Sequence, residues 1–193
     1  RDAIDSYLER DGKRYVFVDT AGLRRVRHLE QPVDHVSVVQ ARRSIDRADV
    51  AVLLLDVSAG IREMDATIGG YIQKAGTGVV IAANKWDVAR EQKLKPKVFE
   101  QQVRDELKFL PYASVCRISA LTGEGLQGLF KTIGKVAESC RTRVTTGQLN
   151  RVIAQATQAH APKSASGDRA VTVLYATQVR VSPPTFLLQL NHP

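Results

Sequence analysis

The first pattern along the chain is a pair of short mixed runs around a turn. Residues 7–10 (Tyr-Leu-Glu-Arg) and 13–18 (Lys-Arg-Tyr-Val-Phe-Val) flank Asp11-Gly12, a strong signal for a tight β-hairpin. Three short, mostly apolar runs follow, at residues 50–55, 78–83 and 114–118. They are short and rich in branched side chains, as buried parallel strands are. Helical spacing fills the intervals. Phe99, Val103, Leu107 and Leu110 share one face of a helix that Pro96 can open. Leu126, Leu129, Phe130, Ile133 and Ala137 share the face of another. Strands alternating with helices of this length predict an α/β domain with a mostly parallel sheet and flanking helices, to which the hairpin adds one antiparallel edge strand.

The pattern changes near residues 141–147. Thr145 and Gln148 have capping-box spacing, and Leu149, Val152, Ile153, Ala156 and Ala159 give a further helical face. A loop rich in Ala, Ser, Gly and Pro follows at 160–168. Two strand-like runs, 170–176 and 185–190, then stand on either side of Pro183-Pro184. The reading is two domains, residues 1–141 and a smaller α/β module at 142–193. One helix and two strands are too little to bury a core alone.

Composition changes this picture in one respect. At 44% hydrophobic and 25% charged residues, the chain has the make-up of a globular domain and not of a disordered or collagen-like one. No apolar run approaches the length of a membrane span. The net charge of +8 is unevenly placed: residues 141–193 carry six Lys or Arg against one acid, Asp168. A basic end beside a balanced body suits a polyanionic partner such as RNA, and equally suits a merely solvated surface. Cys116 and Cys140 make neither a disulfide framework nor a metal-ligand cluster and fit a reducing compartment. The chain does not begin with Met, so it reads as starting within a longer frame or after processing.

Three polar segments sit at the C-terminal ends of predicted strands, the edge at which open α/β sheets bind ligands. Asp19-Thr20-Ala21-Gly22 follows the hairpin. An Asp there can hold Mg2+ through water, and the Gly lets a backbone N–H approach a terminal phosphate. Asn84-Lys85-Trp86-Asp87 follows the second apolar run. A carboxylate such as Asp87 can accept two hydrogen bonds from one edge of guanine, whereas adenine offers no such donor pair. Asn84 can tie neighbouring loops together, and the Lys85 stem can lie along a base. Ser119-Ala120-Leu121 follows the third run, where a small residue lets a backbone N–H reach a guanine carbonyl. Each segment alone also reads as a polar loop after a strand. Their order and spacing carry more: 65 residues separate Asp19 from Asn84, and 32 separate Asp87 from Ser119.

This set resembles the DxxG, NKxD and SA(L/K) motifs of P-loop GTPases. The wider context narrows it: Gly22-Leu23-Arg24-Arg25, Thr145 through Asn150, Ala176-Thr177-Gln178-Val179 and Pro183-Pro184-Thr185-Phe186 are similar to the second GTPase domain and KH-like domain of the bacterial EngA (Der) family. The resemblance implies a P-loop NTPase-type fold followed by part of a KH-like domain. It also implies GTP and GDP binding with Mg2+, GTP hydrolysis, and a cytoplasmic role in assembly of the large (50S) ribosomal subunit through ribosomal RNA. A second GTPase domain is expected upstream. The sequence leaves open whether a monovalent cation takes part.

Several features depart from that pattern. No G-x-x-x-x-G-K-[ST] loop is present: Arg14 follows Gly12-Lys13, and Val136 follows Gly134-Lys135. The strand leading into that loop is expected between the strand ending at Asp19 and the strand at 50–55. Leu23 stands where Ras-type enzymes place a water-orienting Gln, and His28 reads as a surface residue. No catalytic residue is assigned. With only Gly147 and Gly167, the C-terminal module lacks the GxxG loop of RNA-clamping KH domains. Two alternatives stay open: an Era-like or other translation-associated GTPase, and a non-hydrolysing RNA- or ribosome-binding module.

Overall fold

The computed structural model describes residues 5–18, 42–162 and 171–191. Contacts divide the chain into two units, Arg1–Val136 and Ala137–Pro193.

In the first unit, β1 (Ser6–Arg10) and β2 (Lys13–Phe17) pair antiparallel, with Arg10 opposite Lys13. Asp11 and Gly12 take φ of 52° and 69°, the double positive φ of a two-residue hairpin turn. The hairpin is a sheet of its own and does not extend the parallel one, in contrast to the edge strand expected from the sequence. Aromatic side chains hold it instead. Tyr15 and Phe17, two residues apart and so on one face, meet the ring of Phe130 edge-on at 5.1 and 6.2 Å. The Arg10 guanidinium lies 4.8 Å from the centre of the same ring.

The main sheet has the order β3 (Val50–Asp56), β4 (Gly78–Asn84), β5 (Ser114–Arg117), all parallel. Register places Asp56 beside Asn84 and Ala83 beside Arg117, so the three C-terminal ends form one edge. The central strand β4 is buried on both faces, which is why its sequence is apolar without alternation. One face packs Leu53, Leu55, Val79 and Ile81 against α1 (Glu63–Ala75) and α3 (Pro96–Glu106) through Ile72, Phe99 and Val103. The other face packs Val80, Ala82 and Ile118 against Leu129 of α4 (Leu126–Arg141). Val52 and Leu54, beside Val80 and Ala82 in register, remain 37% and 43% exposed.

Helix α3 starts at Pro96 as expected but stops at Glu106. Leu107 and Leu110 are nonetheless buried, carried on turns that close with Leu110 N–H to Leu107 O at 2.8 Å. Helix α1 was not apparent from spacing because Gly69-Gly70 interrupts it. The reason for Gly69 is contact: a Cβ there would lie 3.3 Å from Phe109 and Leu110 side-chain carbons. A short helix, α2 (Trp86–Glu91), follows β4 directly.

In the second unit, α5 (Thr146–Ala159) begins with the expected capping box, in which Thr145 and Gln148 satisfy each other's backbone N–H groups. β6 (Val173–Arg180) and β7 (Thr185–Leu190) pair antiparallel. β6 starts later and runs further than the apolar run predicted. Asn150 of α5 binds both backbone groups of Ala176, accepting its N–H at 2.9 Å and donating to its carbonyl at 2.8 Å. Buried Gln178 accepts the Val144 N–H at 2.7 Å. Leu174, Val179 and Leu187 are more than half exposed, in keeping with one helix and two strands burying little.

Candidate nucleotide-binding edge

The loops after β3, β4 and β5 meet at the C-terminal edge of the parallel sheet. After β4, Trp86 donates its N–H to Ile118 O at 3.0 Å, and Ile118 donates to Ala83 O at 2.9 Å. These bonds carry the β4–β5 pairing into the loops. Asn84 Oδ1 then accepts the Ala120 N–H at 2.9 Å, so the second and third sequence motifs are joined through one side chain.

Lys85 adopts a left-handed conformation, φ 64° and ψ 38°, which turns the chain sharply from β4 into α2. Its ammonium lies 2.7 Å from Asp56 Oδ2 at the end of β3. Asp56 Oδ1 accepts from Ser58 N at 3.1 Å and Ser58 Oγ at 2.6 Å. The hydrogen bond from Lys85, and then those from Ser58, hold the Asp56 carboxyl down at about 2, against the smaller opposing effect of desolvation.

Asp87 stands in the first turn of α2. Its Oδ1 is buried and has no hydrogen-bond partner. Trp86 beside it packs edge-on to Phe99 at 6.0 Å, with the Arg117 guanidinium 5.6 Å from its ring centre. Ser119 is fully buried and organises the third loop. It donates its N–H to Glu124 O at 3.0 Å, its carbonyl accepts from Gly123 N–H at 2.9 Å, and its hydroxyl accepts from Thr122 N–H at 3.2 Å. Glu124 N–H reaches Thr122 Oγ1 at 3.4 Å. Among the described residues, the N–H groups of Leu121 and Gly125 are the two in this loop left without a partner, and Leu121 is 87% exposed. Gly125, at φ 75°, lets the loop return against β5: a Cβ would sit 2.1 Å from Arg117 O. Arg90 of α2 binds both carboxylate oxygens of Glu124, which ties the second loop to the third and raises the Arg90 pKa.

Asn84, Lys85, Asp87, Ser119, Ala120 and Leu121 are thus brought together. Asp19, Thr20, Ala21 and Gly22 lie outside the described residues, as do Leu23 and His28. Asp56, Ser58, Arg90, Glu124 and Gly125 were not singled out by motif. The Asp56-x-Ser58 pattern at a strand end was the one local signal available. No group of three or more potential metal ligands occurs among the described residues.

Residues 1–85 match the profile of a family described as 50S ribosome-binding GTPase. Residues 143–193 match the KH-domain-like C-terminal region of EngA bacterial GTPase enzymes. GTPase Der of Desulforamulus reducens is 44% identical over 193 residues, all of this chain and 44% of that protein. GTPase Der of Desulfitobacterium hafniense is 42% identical over 99% of this chain and 43% of its own length. The chain therefore spans less than half the length of these curated relatives. Among solved structures, Era in complex with MgGDPNP and a segment of 16S ribosomal RNA superimposes with a TM-score of 0.57 at 27% identity, covering 70% of this chain and 44% of Era. With both of its segments matched and the similarity to Der running along its whole length, the chain belongs to the EngA/Der family of bacterial GTPases.

Proposed function

We propose that the loops at this edge bind the guanine base of GTP or GDP, and that the chain is part of a GTP-hydrolysing switch acting in assembly of the large ribosomal subunit. The observation that carries the nucleotide reading is the buried, unpartnered Oδ1 of Asp87. A buried acceptor left unsatisfied costs about 1–3 kcal/mol, and more when charged. Guanine supplies the missing donors from its ring N–H and amino group; adenine does not. The exposed N–H of Leu121 is the donor available for the guanine carbonyl. Asn84 holds the two loops in register, and Lys85, anchored at its far end by Asp56, offers its stem as a platform.

Mg2+ would accompany the nucleotide phosphates, held through water by Asp19, the residue the family resemblance assigns to it. No residue is assigned to a monovalent cation or to hydrolysis. Ribosomal RNA or the 50S subunit is the partner on this reading. The 50S-binding description of the matched family and the RNA bound to Era support it. A ribosomal partner would put the protein in the cytoplasm; no described helix is long and apolar enough to cross a membrane. We place the boundary between the GTPase and KH-like parts at residues 141/142, just before the matched KH-like segment.

Titrating GDP, ADP and xanthosine diphosphate into the chain and its Asp87→Asn variant tests the base site. GDP should bind better than ADP, and the variant should lose that preference in favour of xanthosine diphosphate. Equal binding of GDP and ADP, or an unchanged preference in the variant, would overturn the reading.

A further inference from the structure

A second site lies beside the base-recognition loops and does not depend on them. A cavity of about 550 Å³ is lined by Lys95, Pro96, Lys97, Val98, Glu100 and Arg117. Three of these six residues are cations, contributed by two separate elements, the start of α3 and the end of β5. Elsewhere in the unit, three cations pair with carboxylates: Lys85 with Asp56, Arg90 with Glu124, Arg10 with Asp11. Among the described residues, Lys95, Lys97 and Arg117 have no carboxylate within ion-pair distance. Arg117 is instead steadied over the Trp86 ring.

The placement is electrostatically unfavourable for the protein alone. Lys95 is the N-cap of α3, where a side-chain acceptor belongs, and it makes no capping bond. Lys97 follows within the first turn, which holds no acid. Both cations therefore face the positive end of the helix dipole. A ligand bearing anions would relieve all of these repulsions together. The rest of the lining narrows its chemistry. Glu100 repels a bare anion but accepts from a hydroxyl or amino donor. Pro96 and the half-exposed Val98 offer apolar surface to a sugar or a base face. Phosphates, hydroxyl donors and apolar faces occur together along an RNA strand.

We propose that this basic hollow is an RNA-docking surface, in which Lys95, Lys97 and Arg117 contact successive phosphates. The occupant is a single-stranded or looped RNA segment. A lipid surface is too flat to enter a hollow, and an acidic peptide would leave Glu100 opposed.

The test uses the whole chain and a uridine-rich single-stranded RNA, with binding followed from about 50 to 200 mM salt. Lys95→Ala/Lys97→Ala/Arg117→Ala is compared with Lys108→Ala/Lys131→Ala/Lys135→Ala, which removes the same charge from exposed positions elsewhere in the unit. Three lost phosphate contacts should lower the slope of log affinity against log salt by about 2. The hollow variant should lose about tenfold or more in affinity. The control should lose much less, and the melting temperature of the hollow variant should not fall. Equal losses in the two variants, or none in the hollow variant, would overturn the proposal. So would loss of binding to phosphatidylserine vesicles or polyglutamate with RNA binding intact. Photo-crosslinking of the unsubstituted chain to a thiouridine RNA needs no variant to fold. Adducts on peptides containing residues 95–98 or 117 are expected, and adducts confined to residues beyond 141 would overturn the assignment.

Discussion

Asn84 and Ala120, 36 residues apart, are joined by one hydrogen bond of 2.9 Å from the Ala120 N–H to the Asn84 side-chain oxygen. The bond links the ends of neighbouring strands β4 and β5 beyond their last ladder pair. Asn84→Ala removes the acceptor but leaves the N–H at an exposed position that water can reach. The stability loss should be about 1 kcal/mol, read by urea denaturation. Guanine nucleotide affinity should fall more steeply than stability, because the two loops lose their common brace.

Asp87 makes the opposite trade. Its carboxylate oxygen is buried with no partner in the free protein, so Asp87→Asn relieves a desolvation cost. The melting temperature of the ligand-free variant should equal or exceed that of the unsubstituted chain. A clear drop would mean that the carboxylate contributes to the fold itself.

Asp56 sets an acid limit. Its carboxyl titrates at about 2 in the folded chain, against an ordinary value of 3.8. A lowered folded-state pKa stabilises above the unfolded value, and that contribution disappears as pH falls from about 4 through 2. The pair with Lys85 is partly open to solvent, with side chains 35% and 50% exposed, so the contribution is about 0.5–1 kcal/mol. Stability measured across this range should fall less steeply in Asp56→Asn than in the unsubstituted chain.

Gly125 and Gly128 separate two roles of glycine within four residues. A Cβ at Gly125 would collide with the Arg117 carbonyl, and φ of 75° adds strain. Gly125→Ala should therefore cost about 2–4 kcal/mol. Gly128 lies inside α4 with open space around it. Gly128→Ala should add about 0.5–1 kcal/mol. Thermal or urea unfolding of the two variants should show opposite signs.

What the sequence disclosed follows from where its signals are local. The Asp11-Gly12 turn, the three parallel strands and the Thr145–Gln148 capping box are written in neighbouring residues, and all are present. Helix α1 was hidden because Gly69, poor for a helix, is there to admit Phe109 and Leu110 from a distant segment. Helical spacing runs past the end of α3 because Leu107 and Leu110 keep it while reaching the core through turns. The separation of the hairpin from the sheet is not legible because pairing partners cannot be read from alternation; the Phe130 ring that holds it is more than 100 residues away. In the site, motif residues were legible and their supports were not. Asp56, Arg90 and Glu124 act across strands, and their spacing carries no recognisable period.

Trp86 is the sole tryptophan of the chain. It adjoins Asp87 in sequence, rests on Phe99 and lies under Arg117. Its intrinsic fluorescence is therefore a label-free optical gauge set between the two proposed sites. A base arriving at Asp87 would change the surroundings of one side of the indole, and an RNA phosphate drawing Arg117 away would unmask its face. One emission spectrum can follow both events, and their separate titrations would show whether occupying one site is felt at the other.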